Sequence, residues 1–293
     1  MAQNIYRGTG YNIPTDVASE IIQKTQEESA IMRLARQITL PGRGLSIPVI
    51  TGDPTAEWVA ETDEKPVSNS TLSTKIMTPY KIAVIETFSK EFTRDAESLY
   101  DALVARLPGA LAAVFDKTVI GGTQAPGQQF DTFANCTAQS INNANNGTYM
   151  GLVAADVDIA NHGGTVTGFA FGAQGRGILL TATDTTNRPL FTAGTGEGAV
   201  TRVLGAPTYF NKAIYKAGTS GSPGTPAIVG IAGDWTKAMY GTVAGIDVSV
   251  TDTATLTSGA TTLNLWQRNM VAVRAEIEIG FRADTDCFNL LTA

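Results

Sequence analysis

Near its C-terminal end the chain carries a run in which Val271, Val273, Ala275, Ile277, Ile279 and Phe281 alternate with Ala272, Arg274, Glu276, Glu278, Gly280 and Arg282. Successive side chains of a strand point to opposite faces, so this run reads as a long strand with one apolar and one charged face. No turn signal interrupts it, so it cannot fold back on itself. Its partners must come from earlier in the chain, and any fold for this sequence is built around a long-range sheet.

Two earlier segments also read as strands. After Pro41-Gly42-Arg43-Gly44, Leu45–Ile50 is one. Thr71–Phe88 is expected to be a single long strand with Ile76, Tyr80, Ile82 and Val84 on one face. Between them, Thr51–Ser70 is rich in Asp, Glu, Pro, Ser and Thr but carries Trp58. Two long strands joined by a polar tip make an extended hairpin, and no partner strand is evident nearby, so the hairpin cannot bury itself. Trp58 on such a tip is awkward in a monomer and sensible at an interface.

Helical periodicity appears in two places. Val17, Ile21, Ile22, Ile31, Leu34, Ala35 and Ile38 recur at helical spacing after the unpatterned segment Met1–Ile13. Leu99, Leu103, Leu107, Leu111, Val114 and Phe115 then form a stripe over roughly five to six turns. Ser98 with Asp101 reads as the N-terminal cap of this second helix. Pro108-Gly109 in its middle predicts a bend near Arg106, because proline removes a backbone donor. Gly121–Leu265 differs in texture, with abundant Gly, Thr, Ala and Asn, and reads as a second, mixed α/β region with long surface loops.

Composition narrows the function. The 293 residues are 43% hydrophobic and only 16% charged, a balance that suggests a surface covered by partners. A net charge of −6 argues against a nucleic-acid reader with a basic face, but does not exclude a container, since packed DNA slides along an acidic inner wall. No signal peptide and no long apolar run is visible, so use in a cytoplasm, away from membranes, is expected. Cys136 and Cys287 belong to no ligand motif and are expected to be reduced and buried.

The familiar catalytic constellations are missing. His162, the only histidine, sits in Asn161-His162-Gly163-Gly164 without a Gly-x-Ser-x-Gly elbow anywhere. Gly194-x-Gly196-x-x-Ala199 lacks a following helix and reads as a loop rather than a dinucleotide fingerprint. The Asp156/Asp158 and Asp284/Asp286 pairs lack the spacing of a calcium loop. No enzyme activity, cofactor or metal is expected.

At the hairpin the sequence resembles a known family. Trp58-Val59-Ala60-Glu61, Glu64-Lys65-Pro66 and the strand leading to Lys81-Ile82-Ala83 are similar to the major capsid proteins of tailed bacteriophages, whose type member is the shell protein of phage Hong Kong 97. Ser89–Ile120, the pair Leu204-Gly205-Ala206-Pro207 and Ile231-Ala232-Gly233-Asp234-Trp235, and Asn269–Phe288 agree in order. The resemblance implies an α+β, Hong Kong 97-like capsid fold. Residues 1–37 would form an N-terminal arm and helix, 38–80 the E-loop hairpin, and 81–120 the P-domain strand and spine helix. Residues 121–265 would form the axial A-domain, and 266–293 the closing P-domain strand and C-terminus. The implied role is the self-assembling subunit of an icosahedral shell of pentamers and hexamers, enclosing double-stranded DNA in the virion and assembled in the host cytoplasm. Implied partners are a portal and a decoration protein; because the helix-and-hairpin region starts almost at Met1, the subunit is expected either to use a separate scaffolding protein or to need none. The alternatives are an encapsulin-type cargo compartment, a hydrolase or a secreted adhesin.

The resemblance also assigns sites. Trp58, Glu61, Lys65 and Pro66 fall at the subunit interface, and Pro108-Gly109 becomes a hinge. In the type member an E-loop lysine is joined to a neighbour's asparagine with the help of a glutamate, and Lys65, Asn269 and Glu276 match these positions. The desolvated carboxylate would take a proton from Lys65, whose amine would attack the Asn269 amide and release ammonia. The same residues also read simply: Lys65-Pro66 shaping the tip, Asn269 capping a turn, and Glu276 pairing with a basic residue on an adjacent strand.

Overall fold

The computed structural model describes residues 29–52, 54–61, 64–68, 71–90, 96–142, 147–184, 186–191, 200–220, 224–243, 247–258 and 261–293. The part of the first helical signal before Ser29, and the Gly194–Ala199 loop, lie outside them.

Helix α1, Ala30–Leu34, is short and capped by Ser29, whose Oγ accepts the Met32 N–H at 3.0 Å. The helical spacing that extends to Ile38 is not followed. Arg36–Thr39 forms strand β1, because β-branched Ile38 and Thr39 suit a pleated ladder and Pro41 lies just beyond. Strands β2, Leu45–Gly52, and β3, Thr71–Met77, form the expected antiparallel hairpin, as a sheet of two strands.

The expected single strand Thr71–Phe88 is divided. β4 begins afresh at Tyr80 and runs to Ser89. Thr78-Pro79 makes the break, since proline has no N–H for a ladder. The break also changes faces. Tyr80, Ile82 and Val84 are half-buried together, but Ile76 is 48% exposed and Met77 takes the buried position.

Helix α2, Ala96–Val119, is continuous through Pro108-Gly109. Ser98 and Asp101 lie inside it, so they do not form its N-terminal cap. Leu111 and Phe115 are buried, whereas Val114 is half-exposed; the buried face runs through Ala112, Phe115, Asp116 and Val119. Cys287 is buried as expected, but Cys136 only partly so; both are free.

The remaining elements build a layered body. In chain order they are β5 (Thr137–Ser140), α3 (Gly147–Asn161), β6 (Gly168–Phe171), α4 (Ala173–Thr181), β7 (Arg202–Val203) and β8 (Ala206–Phe210). β9 (Ile228–Gly233), β10 (Ala238–Thr242), β11 (Asp247–Thr251), β12 (Thr255–Ser258), β13 (Thr261–Asn264), β14 (Met270–Ala283) and β15 (Phe288–Thr292) complete the chain.

β14 is the long strand anticipated near the C-terminus, and it does pair with distant elements. β4 runs antiparallel along one edge from Met270 to Ile279. β10 and β11 lie end to end along the other, and β1 extends the sheet beside β10. A second sheet of six strands has the order β5-β15-β9-β6-β8-β7. The segment 266–293 therefore serves both sheets, through β14 and β15. An aromatic cluster joins them: Phe115 of α2 lies 5.9 Å from Phe281 of β14, and Phe133 stacks on Phe288 of β15 at 4.5 Å. Helices α3 and α4 supply Leu152, Ala155, Ile159 and Leu179 to a second cluster with Phe169 and Phe171.

Candidate functional site

The hairpin projects its tip into solvent. Trp58 is 105% exposed and Val67 90% exposed; Glu61, Lys65 and Pro66 are exposed beside them. A polar cross-brace holds the tip, with Thr55 N–H donating to Ser68 Oγ at 2.8 Å. The structure thus groups the sequence-predicted interface residues on one unburied element. Trp58 and Val67 are thus two large apolar side chains left in water on the same tip.

The hairpin's root, by contrast, is fixed. Arg282 is buried at the end of β14. Its Nε donates to the Ile76 carbonyl at 2.8 Å, one guanidinium nitrogen donates to Asp131 at 2.7 Å, and the other to Gln129 Oε1. Asp131 accepts in addition from Ala283 N–H at 3.1 Å. Lys75 of β3 donates to the Ala283 carbonyl at 3.0 Å. Gly44, just before β2, has φ +86° and passes so close to Met77 that a Cβ would lie 2.7 Å from its carbonyl oxygen. A rigid root under a free tip makes the hairpin a lever rather than a loose loop.

The three residues matched to a cross-link are not brought together within one chain. Asn269, at φ +54°, ends the turn before β14 and is exposed; its carbonyl accepts from Lys90 N–H at 2.8 Å. Glu276 lies well along β14, opposite Ala83, in a register without a bulge. At a strand's rise the two are separated by on the order of 20 Å. Glu276 instead faces Lys81 of the adjacent strand β4 at 3.5 Å, the simple pairing, and Arg274 of its own strand at 3.9 Å. Hydrogen bonding to Glu278, then the charges of Glu276 and Glu278, raise the Lys81 ammonium above the usual lysine range. Lys65 stands far from this ladder in sequence, on the tip.

Gly109, with Ala113 and Lys117 of α2, lines an open cleft against Phe210, Asn211, Lys212 and Ala213. His162 follows the end of α3, exposed, with Nδ1 2.9 Å from the Asp158 carbonyl oxygen. That is a helix-end contact rather than a catalytic one. Among the described residues no cluster of His, Cys, Asp and Glu could hold a metal, and no helix is long and apolar enough to cross a membrane.

Two organising residues were missed in the sequence. Arg282 falls on the charged side of the alternation, and two distant parts of the chain, Gln129–Asp131 and Ile76 of β3, engage it. Asp116 is fully buried in α2 and joins three parts of the chain. It accepts from Ser29 Oγ at 2.5 Å, Ala30 N–H at 3.1 Å and Asn211 Nδ2 at 2.8 Å. Burial pushes its carboxyl up to about 7, against the pull of these donors. A signal existed: Asp116 stands four residues from Ala112 and from Ile120, on the buried face.

Comparison with known proteins agrees over nearly the whole length. The model of the phage capsid family matches residues 9–284. The chain is 30% identical over 304 residues to the probable major capsid protein gp17 of Mycobacterium phage L5, covering 97% of this chain and 89% of that protein. Over 299 residues it is 29% identical to the corresponding protein of Mycobacterium phage D29, covering 97% and 90%. Among solved structures, a chain of Mycobacterium phage Ogopogo superposes with a TM-score of 0.72 at 20% identity, over 90% of this chain and 92% of that one. A chain from the capsid of a native GTA particle computed with C5 symmetry gives 0.61 at 14% identity, over 100% and 94%.

Proposed function

The chain belongs to the phage capsid family, and we propose that its hairpin is the arm by which one subunit of the phage shell grips the next. The observation that carries this is the pairing of a clamped root with a tip that exposes Trp58 and Val67. Burying the Trp58 indole against a neighbour would contribute about 2 kcal/mol or more per contact, repeated at every copy.

The family match supports a finer architecture. Residues 38–80 are the E-loop region, α2 is the spine helix of a peripheral domain, and most of 121–265 is an axial domain gathered where copies meet. Pentamers and hexamers of this unit close an icosahedral shell around double-stranded DNA. The net charge of −6 supports a wall to which packed DNA does not adhere. Pro108-Gly109 acts as the hinge that lets the spine helix adjust between shell states. A portal, a scaffolding protein and a decoration protein are the further partners this role implies.

The pairing of Glu276 with Lys81 and Arg274 favours a shell held without covalent links. A Lys65–Asn269 bond between copies would need Glu276 from a further copy, and Glu276 is engaged by Lys81 and Arg274. Assembled shells boiled in detergent are expected to run as one band at the subunit mass of 30.8 kDa. A ladder of heavier bands would establish the cross-link instead.

The grip itself is tested by removing the tip. A chain lacking residues 54–68 should keep its unfolding transition, because the root contacts remain, yet form no closed particles by electron microscopy. Normal particles from that variant would overturn the proposal.

A further inference from the structure

One lysine and one cysteine meet at the seam between the two sheets. Lys237 ends the short 3-10 turn Trp235–Lys237, and Cys287 ends the turn Thr285–Cys287. The turns are neighbours because β9 and β15 run antiparallel, with Gly233 opposite Phe288. Lys237 Nζ donates to Cys287 Sγ at 3.1 Å and to the Gly163 carbonyl at 3.2 Å. The thiol in turn faces Asp284 Oδ2 at 3.8 Å and the His162 carbonyl at 3.6 Å. Cys287 is only 1% exposed. Filling this space needs no more than a small apolar group. An amine held against the sulfur, with a carboxylate on its other side, is an arrangement for chemistry between the two.

We propose that Lys237 and Cys287 form a redox-dependent covalent N–O–S bridge, closed by dioxygen. The thiol, the neutral amine and dioxygen give S–O–NH and water. The S–H bond and one N–H bond break, the O–O bond breaks, and S–O and O–N bonds form. Sulfur and nitrogen each give up two electrons. Dioxygen takes all four, leaving one oxygen in the bridge and the other as water. Asp284 is placed to relay the thiol proton to the departing oxygen, which leaves as water with the proton of the broken N–H bond, and the ammonium first releases its extra proton to solvent. Burial raises the Cys287 thiol against the lowering by the Lys237 hydrogen bond, and the Asp284 charge raises it further, so the sulfur enters the reaction as the thiol.

The bridge would fasten the start of β15 to the turn that opens β10, and so one sheet to the other. A shell that leaves a cell for aerated water meets the oxidant there. Cys136 is an internal control. Its Sγ faces the Thr285 carbonyl at 3.3 Å, and burial, with the Asp286 charge, pushes it up to about 12.

The test compares full-length protein held under dithiothreitol without oxygen and protein left in air-saturated buffer. Both are unfolded, thiol-blocked with iodoacetamide, cleaved with a protease that does not cut at lysine, and mapped by mass spectrometry. In the aerated sample we expect a linked pair of peptides containing Lys237 and Cys287, heavier than their sum by one oxygen and lighter by two hydrogens. Excess dithiol should separate them. Lys237→Arg, which keeps the charge, should not form the pair. If Cys287 in aerated wild-type protein is alkylated as fully as Cys136, or is oxidised while Lys237 stays unmodified, the bridge does not form; wild-type mapping decides this even where the variant folds poorly.

Discussion

Leu204 occupies a position that leucine disfavours. With φ of +48° it pairs with Gly205, at +82°, in the tight turn joining β7 to β8, and its side chain is exposed. A left-handed conformation costs a branched, non-glycine residue about 1 kcal/mol, and asparagine tolerates it better. Leu204→Asn should therefore raise the stability of dissociated subunits by about 0.5–1 kcal/mol in urea unfolding. A loss would show that the exposed leucine has packing within the subunit. Arg282 lies at the other extreme. Arg282→Ala leaves Asp131 without its cation and Ile76 without a donor, and should cost about 3 kcal/mol, with faster amide exchange at the hairpin root. Unchanged exchange there would separate the root from this side chain.

Asp116 makes stability depend on pH. Its carboxyl is raised from 3.8 to about 7, so between these values the folded chain holds a proton that the unfolded chain has released. Its contribution to stability is therefore fully present below about 4 and declines as pH rises toward 7. Asp116→Asn can still accept from Ala30 and Asn211 through its oxygen and donate to Ser29, so it should fold and lose this slope. Urea midpoints of both proteins from pH 4.5 to 8 should diverge as pH rises, the variant becoming the more stable. Parallel curves would remove Asp116 as the source.

At the scale of elements, local rules carried the reading where they were strong. The alternation around Val271–Phe281 specified both a strand and its need for distant partners, and β4, β10 and β11 supply them. The hairpin was legible because a polar, Trp-bearing stretch separated two β-rich runs. Reading failed where one residue or a tertiary contact overrode a period. Pro79 split a strand and turned Ile76 outward, and the ladder with β10 converted Ile38 from helix to strand. Burial of Arg282 and Asp116 depends on segments distant in the chain, beyond the reach of periodicity. For the hairpin, assembly should move Trp58 from water into protein. The emission lost on Trp58→Phe substitution should peak at shorter wavelength in particles than in dissociated subunits. The same wavelength in both states would place Trp58 outside the interface.

At the scale of the whole molecule, a shell subunit accounts for a chain in which only 16% of residues are charged. Two sheets joined by Phe115, Phe133, Phe281 and Phe288 give this phage shell subunit its core, and Trp58, Val67 and Trp266 stand exposed outside it. Catalytic machinery is not needed for that role; repeated burial at many identical contacts is. The family match, over residues 9–284, makes the chain a phage shell subunit, and the exposed hairpin tip is the surface proposed for its contacts. The most direct check is the solution mass of the purified protein by light scattering after size exclusion. Pentamers, hexamers or megadalton particles are the expected result, and a protein that stays at its monomer mass of 30.8 kDa as concentration rises would contradict assembly through this surface.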